Sequence, residues 1–141
     1  MTDGNTGGLR GRCWSSARVA APSGPGRRTL TATGHPRAVF QRAIGRANLA
    51  SAEVSARQLG RVSLIEALEL TALIALKDPR RHGRAGARWM RRYLDENESA
   101  GLDDVAFVVG WLSALGGREH EVALNALRAS CGAVVSAASS P

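Results

Sequence analysis

Between Ser63 and Leu76 the chain carries a helix that cannot stand alone. Ser63-Leu64-Ile65-Glu66 has the S-x-x-E spacing of a capping box, in which the serine hydroxyl and the glutamate carboxylate satisfy free amides at opposite ends of the first turn. Val62, one residue outside the cap, is placed to staple onto Ala67. From Leu64 to Leu76 every residue except Glu66, Glu69 and Thr71 is apolar. A helix that is apolar around most of its circumference has to be covered by neighbours on several sides. The remaining sequence must therefore supply the cover.

That cover reads as further helices, because helix punctuation recurs from residue 35 onward. Pro36 suits a first helical position, and Val39, Phe40, Ala43, Ile44 and Ala47 repeat at helical spacing up to Asn48. A second helix is expected over residues 51–59, with Ala52, Ala56 and Leu59 on one side, Glu53 four residues before Arg57, and Gly60 as its stop. Asp78 and Pro79 then read as N-cap and first helical residue of a helix reaching Leu94. Asp95, Glu96 and Glu98 are assigned to the following loop, since acids oppose the dipole at a helix C-terminus. Asp103 and Asp104 sit where the fifth helix begins, over residues 105–115. With Val108, Val109, Trp111 and Leu112 that helix is apolar nearly all round, and it is expected to pair with the third as a second buried element. Gly116 and Gly117 end it, and a sixth helix over residues 118–130 buries Ala123, Leu124 and Leu127.

No segment has the alternation of a strand, so the expected fold is all-α: about six short helices over residues 35–131, joined by short loops. An antiparallel bundle and a repeat-like array of helical hairpins both fit. Residues 1–34, rich in Gly, Ser, Thr, Pro and Arg with five arginines against one acid, read as a disordered tail, or as a basic arm that follows a phosphate backbone. Residues 132–141 read as a flexible C-terminal tail.

The fourth helix holds the feature with most bearing on function. Advancing about 100° per residue places Arg80, Arg81, Arg84, Arg88, Arg91 and Arg92 within roughly 120° of arc, with Trp89, Met90, Tyr93 and Leu94 opposite. Such a helix rests its aromatic side on a core and holds guanidinium groups out to water. Arg91 and Arg92 have acids four residues on at Asp95 and Glu96, in the weaker orientation, and the other four have no intrahelical acid. A run of this kind is most commonly a solvated or cross-paired face; where it has a partner, the partner is anionic. No Asn, Gln or Ser stands among the arginines to read base edges, so contact with DNA or RNA would be to phosphate.

Composition narrows the classes. Of 141 residues, 44% are apolar but only 4% aromatic, and the net charge is +7 with a single lysine, Lys77. Abundant Ala, Gly and Arg with one Lys matches high-GC coding, so part of the charge reflects nucleotide composition. Two cysteines are too few for a disulfide framework. No apolar run reaches the length of a membrane span, and no apolar signal segment follows the start. A soluble, cytoplasmic protein is expected.

Chemistry-bearing groups are sparse. Glu66 and Glu69 lie within one turn and could divide acid and base roles, but the capping box accounts for Glu66, and an arginine from another helix can meet Glu69. His35, His82, His120, Cys13 and Cys131 have no metal-ligand spacing, and Cys131 has no closer histidine than His120. Gly24-Pro25-Gly26-Arg27-Arg28-Thr29 lacks both the spacing and the strand of a phosphate loop. Trp89, Tyr93 and Trp111 could stack on a ligand, but at helical spacing they read as core. No catalytic, metal or cofactor-binding residue is assigned.

Phe40-Gln41-Arg42-Ala43-Ile44, Asn48-Leu49, Ala56-Arg57-Gln58-Leu59-Gly60 and Asp78-Pro79-Arg80-Arg81, with the apolar run between them, resemble small all-helical proteins of high-GC actinobacteria over about residues 37–130. That group carries no assigned activity, so the resemblance transfers no role onto any position. The association of some such proteins with plasmids or integrated elements implies a transfer or maintenance accessory. The expected function is a non-enzymatic interaction module presenting Arg80, Arg81, Arg84, Arg88, Arg91 and Arg92 to an anionic partner, an acidic protein surface. The alternative is nonspecific nucleic-acid binding by the same residues.

Overall fold

A computed structural model describes residues 34–139, which hold six α-helices and no strand. In chain order they are α1 (Pro36–Gly45), α2 (Leu49–Leu59), α3 (Leu64–Lys77), α4 (Pro79–Glu96), α5 (Leu102–Ala114) and α6 (His120–Ala138). The tail assigned to residues 1–34 lies, but for Gly34, outside the described residues, as does the end of the C-terminal tail.

Local chemistry sets the helix ends. Asn48, expected inside the first helix, instead caps α2: its Oδ1 accepts the Ser51 N–H at 3.1 Å, and Ala47 turns the chain with φ of 52°. Gly60 closes α2 at φ of 67°, a conformation that L side chains rarely adopt. The capping box of α3 is complete, with Ser63 Oγ accepting the Glu66 N–H at 3.2 Å and Glu66 Oε2 accepting the Ser63 N–H at 2.8 Å. Asp78 does not cap α4 with its side chain; its amide bonds Ile74 O to finish α3, and its carboxylate turns to Arg81 at 3.7 Å. Asp95 and Glu96 belong to the last turn of α4 rather than a loop, because the Arg92 guanidinium neutralises Glu96 at 2.6 Å. Asp104 Oδ2 accepts the Gly101 N–H at 2.9 Å at the start of α5. α6 starts at His120 and runs well past the expected end at Ser130, since Cys131 and Val134 continue the buried line of Leu124 and Leu127 at helical spacing.

Consecutive helices pack as three hairpins, α1 with α2, α3 with α4 and α5 with α6, and α3 also meets α1, α2 and α6. It is the surrounded element its composition demands. Leu64, Leu68, Ala72 and Ala75 enter the main core with Trp89, Tyr93, Val108, Leu112, Leu115, Leu124 and Leu127. On the other side Leu73 closes a smaller cluster with Phe40, Ala43 and Ala52. The three polar residues of α3 are all engaged. Thr71 Oγ1 donates to Ala67 O at 2.8 Å, Glu69 meets Arg128 of α6 at 3.0 Å, and Glu66 takes Arg37 of α1 on both carboxylate oxygens, at 2.7 and 3.2 Å.

α5 departs from expectation. It lies against α6 and α4 rather than pairing with α3, and it buries only Val108 and Leu112, while Phe107 and Val109 face outward. Hydrophobicity on all sides shows what a helix would bury, not what the chain has left to bury it with.

Burial pushes the Glu66 carboxyl upward, but the Ser63 amide and hydroxyl and the Arg37 guanidinium outweigh it and hold its pKa below the ordinary 4.5. A depressed folded-state value stabilises the protein above the unfolded pKa and ceases to do so as pH falls through the folded one. Glu66→Gln is therefore expected to cost about 1–2 kcal/mol near neutrality. Urea unfolding of both proteins should show that gap narrowing as pH falls below 4.5; a gap independent of pH would mean that shape, not charge, is what Glu66 supplies.

Candidate functional site

The rotation of α4 about its axis decides which side chains reach solvent. Trp89 is buried and donates Nε1–H to Leu64 O at 3.0 Å; its ring stacks on Tyr93 with centroids 5.4 Å apart. The Tyr93 hydroxyl in turn accepts from Asn97 Nδ2 at 3.2 Å. With Ala85, Gly86, Trp89 and Tyr93 turned inward, the arginines are turned out. Leu94, expected on the core side, is 38% exposed at the edge of this arrangement.

The six arginines divide into two sets. Arg81 is held by Glu53 of α2 as well as by Asp78, and Arg92 by Glu96. Glu53 thus reaches across to α4 instead of pairing with Arg57 four residues along its own helix. Arg80, Arg84, Arg88 and Arg91 are exposed and have no hydrogen-bond or ion-pair partner among the described residues, Asp95 included. The narrower set is the functional candidate. Residues 34–139 contain fourteen Arg and Lys against eleven Asp and Glu. These four arginines, with Asp95 between Arg84 and Arg88 on the same face, carry a net charge of +3, as much as all the described residues together, so the face is a local concentration of charge.

Beside this stripe lies a second feature. Stepping round α4 at about 100° per residue, the order is buried aromatic side, then Met90, Gly83, Leu94 and Ala87, then Arg80, Arg91, Arg84 and Arg88. Met90, Gly83, Gly86, Ala87 and His82 face Val109, Leu112 and Ser113 of α5 across a groove of about 450 Å³. On the groove side of α5 the apolar surface continues through Val109, 46% exposed, to Leu102, 84% exposed, whereas Phe107, 52% exposed, lies on the opposite flank in a hollow with Tyr93, Ser130 and Val134. Phe107 also sets its ring edge against Trp111, 6.1 Å between centroids. From Val105 to Gly117 there is no charged residue. Sequence reasoning missed this groove, although glycines and alanine among the arginines of α4 and the uncharged run in α5 were its signals.

The other candidates lie elsewhere. Glu66 and Glu69 are paired as described, and no three of His, Cys, Asp and Glu among the described residues come together to hold a metal. His82 borders the groove, and His120 places Nδ1 2.6 Å from Leu115 O at the start of α6. His35 precedes α1; Cys13, Trp14 and residues 24–29 lie outside the described residues. Among the described residues no helix is long and apolar enough to cross a membrane.

Cys131 is fully buried, and burial, with a smaller contribution from Glu96, pushes its thiol up to about 11. In a Cys13→Ser background a disulfide reagent at neutral pH should therefore label the protein only as guanidinium unfolds it. Rapid stoichiometric labelling of the native form would show that the main core opens around Cys131.

No protein-family model, curated protein or solved structure matches this chain.

Proposed function

We propose that the protein is a non-enzymatic interaction module that receives an acidic protein surface on the outer face of α4. The observation that carries this reading is the row Arg80, Arg84, Arg88 and Arg91, exposed and unpaired, on a helix whose opposite side is fixed in the core. Guanidinium groups in one row offer several donors each to carboxylates. The apolar surface bordering them favours a protein over a nucleic acid, because phosphates and sugars gain nothing from covering Met90, Leu94 or Val109. Arg81 and Arg92, already engaged by Glu53 and Glu96, serve this face as its border rather than as binding groups.

Fluorescence anisotropy with a labelled acidic peptide and with random duplex DNA, at low and moderate salt, tests it. The peptide should bind the wild-type protein, and Arg84→Glu with Arg88→Glu should abolish that binding. Duplex DNA should bind less tightly than the peptide at equal salt. Tighter binding of DNA, weakening with a log-log salt slope of about −0.9 per phosphate contact, would instead make the same face a nucleic-acid surface. Peptide binding that survives the double reversal would remove the arginine row from the interaction.

A further inference from the structure

The α4–α5 groove is uncharged on one wall and flanked by cations on the other, and that asymmetry specifies what can fill it. We propose that it takes a single amphipathic helix of a partner protein, with its apolar side in the groove and carboxylates along only the edge that meets α4. This rests on the reading of the arginine row as a protein-binding face and names the shape and charge pattern of the partner.

Three observations carry it. The first is continuity: Met90 and Val109 face each other across the groove, and Leu94, 38% exposed on α4, and Leu102, 84% exposed on the Val109 side of α5, extend its two walls. The second is length and shape. Gly83, Ala87, Met90 and Leu94 are spaced four, three and four residues apart, a straight track of roughly 16 Å at 1.5 Å per residue. An opposing helix with apolar anchors at i, i+4, i+7 and i+11 fits that track. At Gly83 a Cβ would meet nothing within 4 Å, so the missing side chain leaves room for a neighbouring helix to approach closely. The third is charge order. Arg80, Arg91 and Arg84 follow directly on the groove side of α4, whereas Val105 to Gly117 carries no charge at all. Acids on the α4 edge gain partners; acids on the α5 edge would be desolvated against apolar surface. The exposed side of α5 in a second copy does not meet the pattern, because its acids are confined to the first turn, at Asp103 and Asp104.

The probe is a fluoresceinated helical peptide with leucines at i, i+4, i+7 and i+11 and glutamates along one flank, compared with a peptide of identical composition whose leucines are dispersed. The variants of the full chain are Gly83→Leu, which fills the groove, and Arg84→Glu with Arg91→Glu; circular dichroism and melting curves establish that each is folded. Gly83 is a mid-helix glycine with open space around it, so Gly83→Leu should melt no lower than wild type. The amphipathic peptide should bind wild type about tenfold or more tighter than the dispersed one. Gly83→Leu should remove that preference while leaving the weak binding of the dispersed peptide unchanged. Equal binding of both peptides to wild type, or no effect of Gly83→Leu, overturns the groove inference. In that case loss of binding on charge reversal still upholds the arginine face, whereas binding indifferent to charge reversal refutes the face itself. Sedimentation showing a wild-type dimer that Gly83→Leu converts to monomer also overturns the inference, since a second copy would then occupy the groove.

Discussion

The indole of Trp89 fixes the orientation of everything that faces outward on α4. Its ring stacks on Tyr93 and its N–H is bonded to Leu64 O, so it supplies both apolar burial and a directional hydrogen bond that only one rotation of α4 against α3 can satisfy. Burying an aromatic ring of this size removes roughly 150–250 Å² from water, on the order of 4–6 kcal/mol before ordering entropy. Turning the helix the other way would forfeit that and drive guanidinium groups toward Leu64, Leu68 and Val108. The exposed arginine row is thus a consequence of the aromatic anchor rather than an independent feature. The bond lands on the first residue of α3, whose place is itself set by Ser63, Glu66 and Arg37. The arginine face is therefore registered to the cap at the far end of the α3–α4 hairpin.

The parts of the fold that were legible in the sequence are those decided within one turn of chain. The capping box at Ser63 and Glu66, Pro79 at the head of α4, Gly60 at the end of α2 and the break at Gly116 and Gly117 each depend on neighbours three or four residues away. Asn48 was ambiguous for a local reason as well: it continues a helical pattern and is also a strong N-cap, and the positive φ of Ala47 settles the choice. What could not be read were relations across the fold. Glu53 is four residues from Arg57 in sequence yet meets Arg81, and nothing in either helix alone announces this. That crossing pair takes Arg81 from the row, as the pair with Glu96 on the same helix takes Arg92, so the spacing that revealed the row overstated its width. The length of α6 was hidden because Cys131 and Val134 sit among Gly, Ala and Ser, and only the packed core identifies them as its anchors.

The largest departure, the exposure of α5, is the most informative about function. In a stack of helical hairpins an inner pair is covered on both sides, while an end pair needs either a polar outer face or a partner. At the α1–α2 end the outer residues include Arg37, Gln41, Arg42, Arg46, Arg57 and Gln58, a face suited to water. At the α5 end, apart from Asp103 and Asp104 in the first turn, they are Leu102, Ala106, Phe107, Val109, Gly110 and Ser113. The two ends of one array have been treated oppositely. Surface entropy and solubility would favour charges on α5 as readily as on α1, and while Phe107 has its ring edge on Trp111, Leu102 and Val109 stand exposed. Val109 lines the groove whose other wall, on α4, leads on to the arginines that have no internal acid. The described helices leave an apolar wall on α5 and a cationic row on α4 side by side, and one molecule with carboxylates toward α4 and none toward α5 would satisfy both together, which is the ground of the partner we propose.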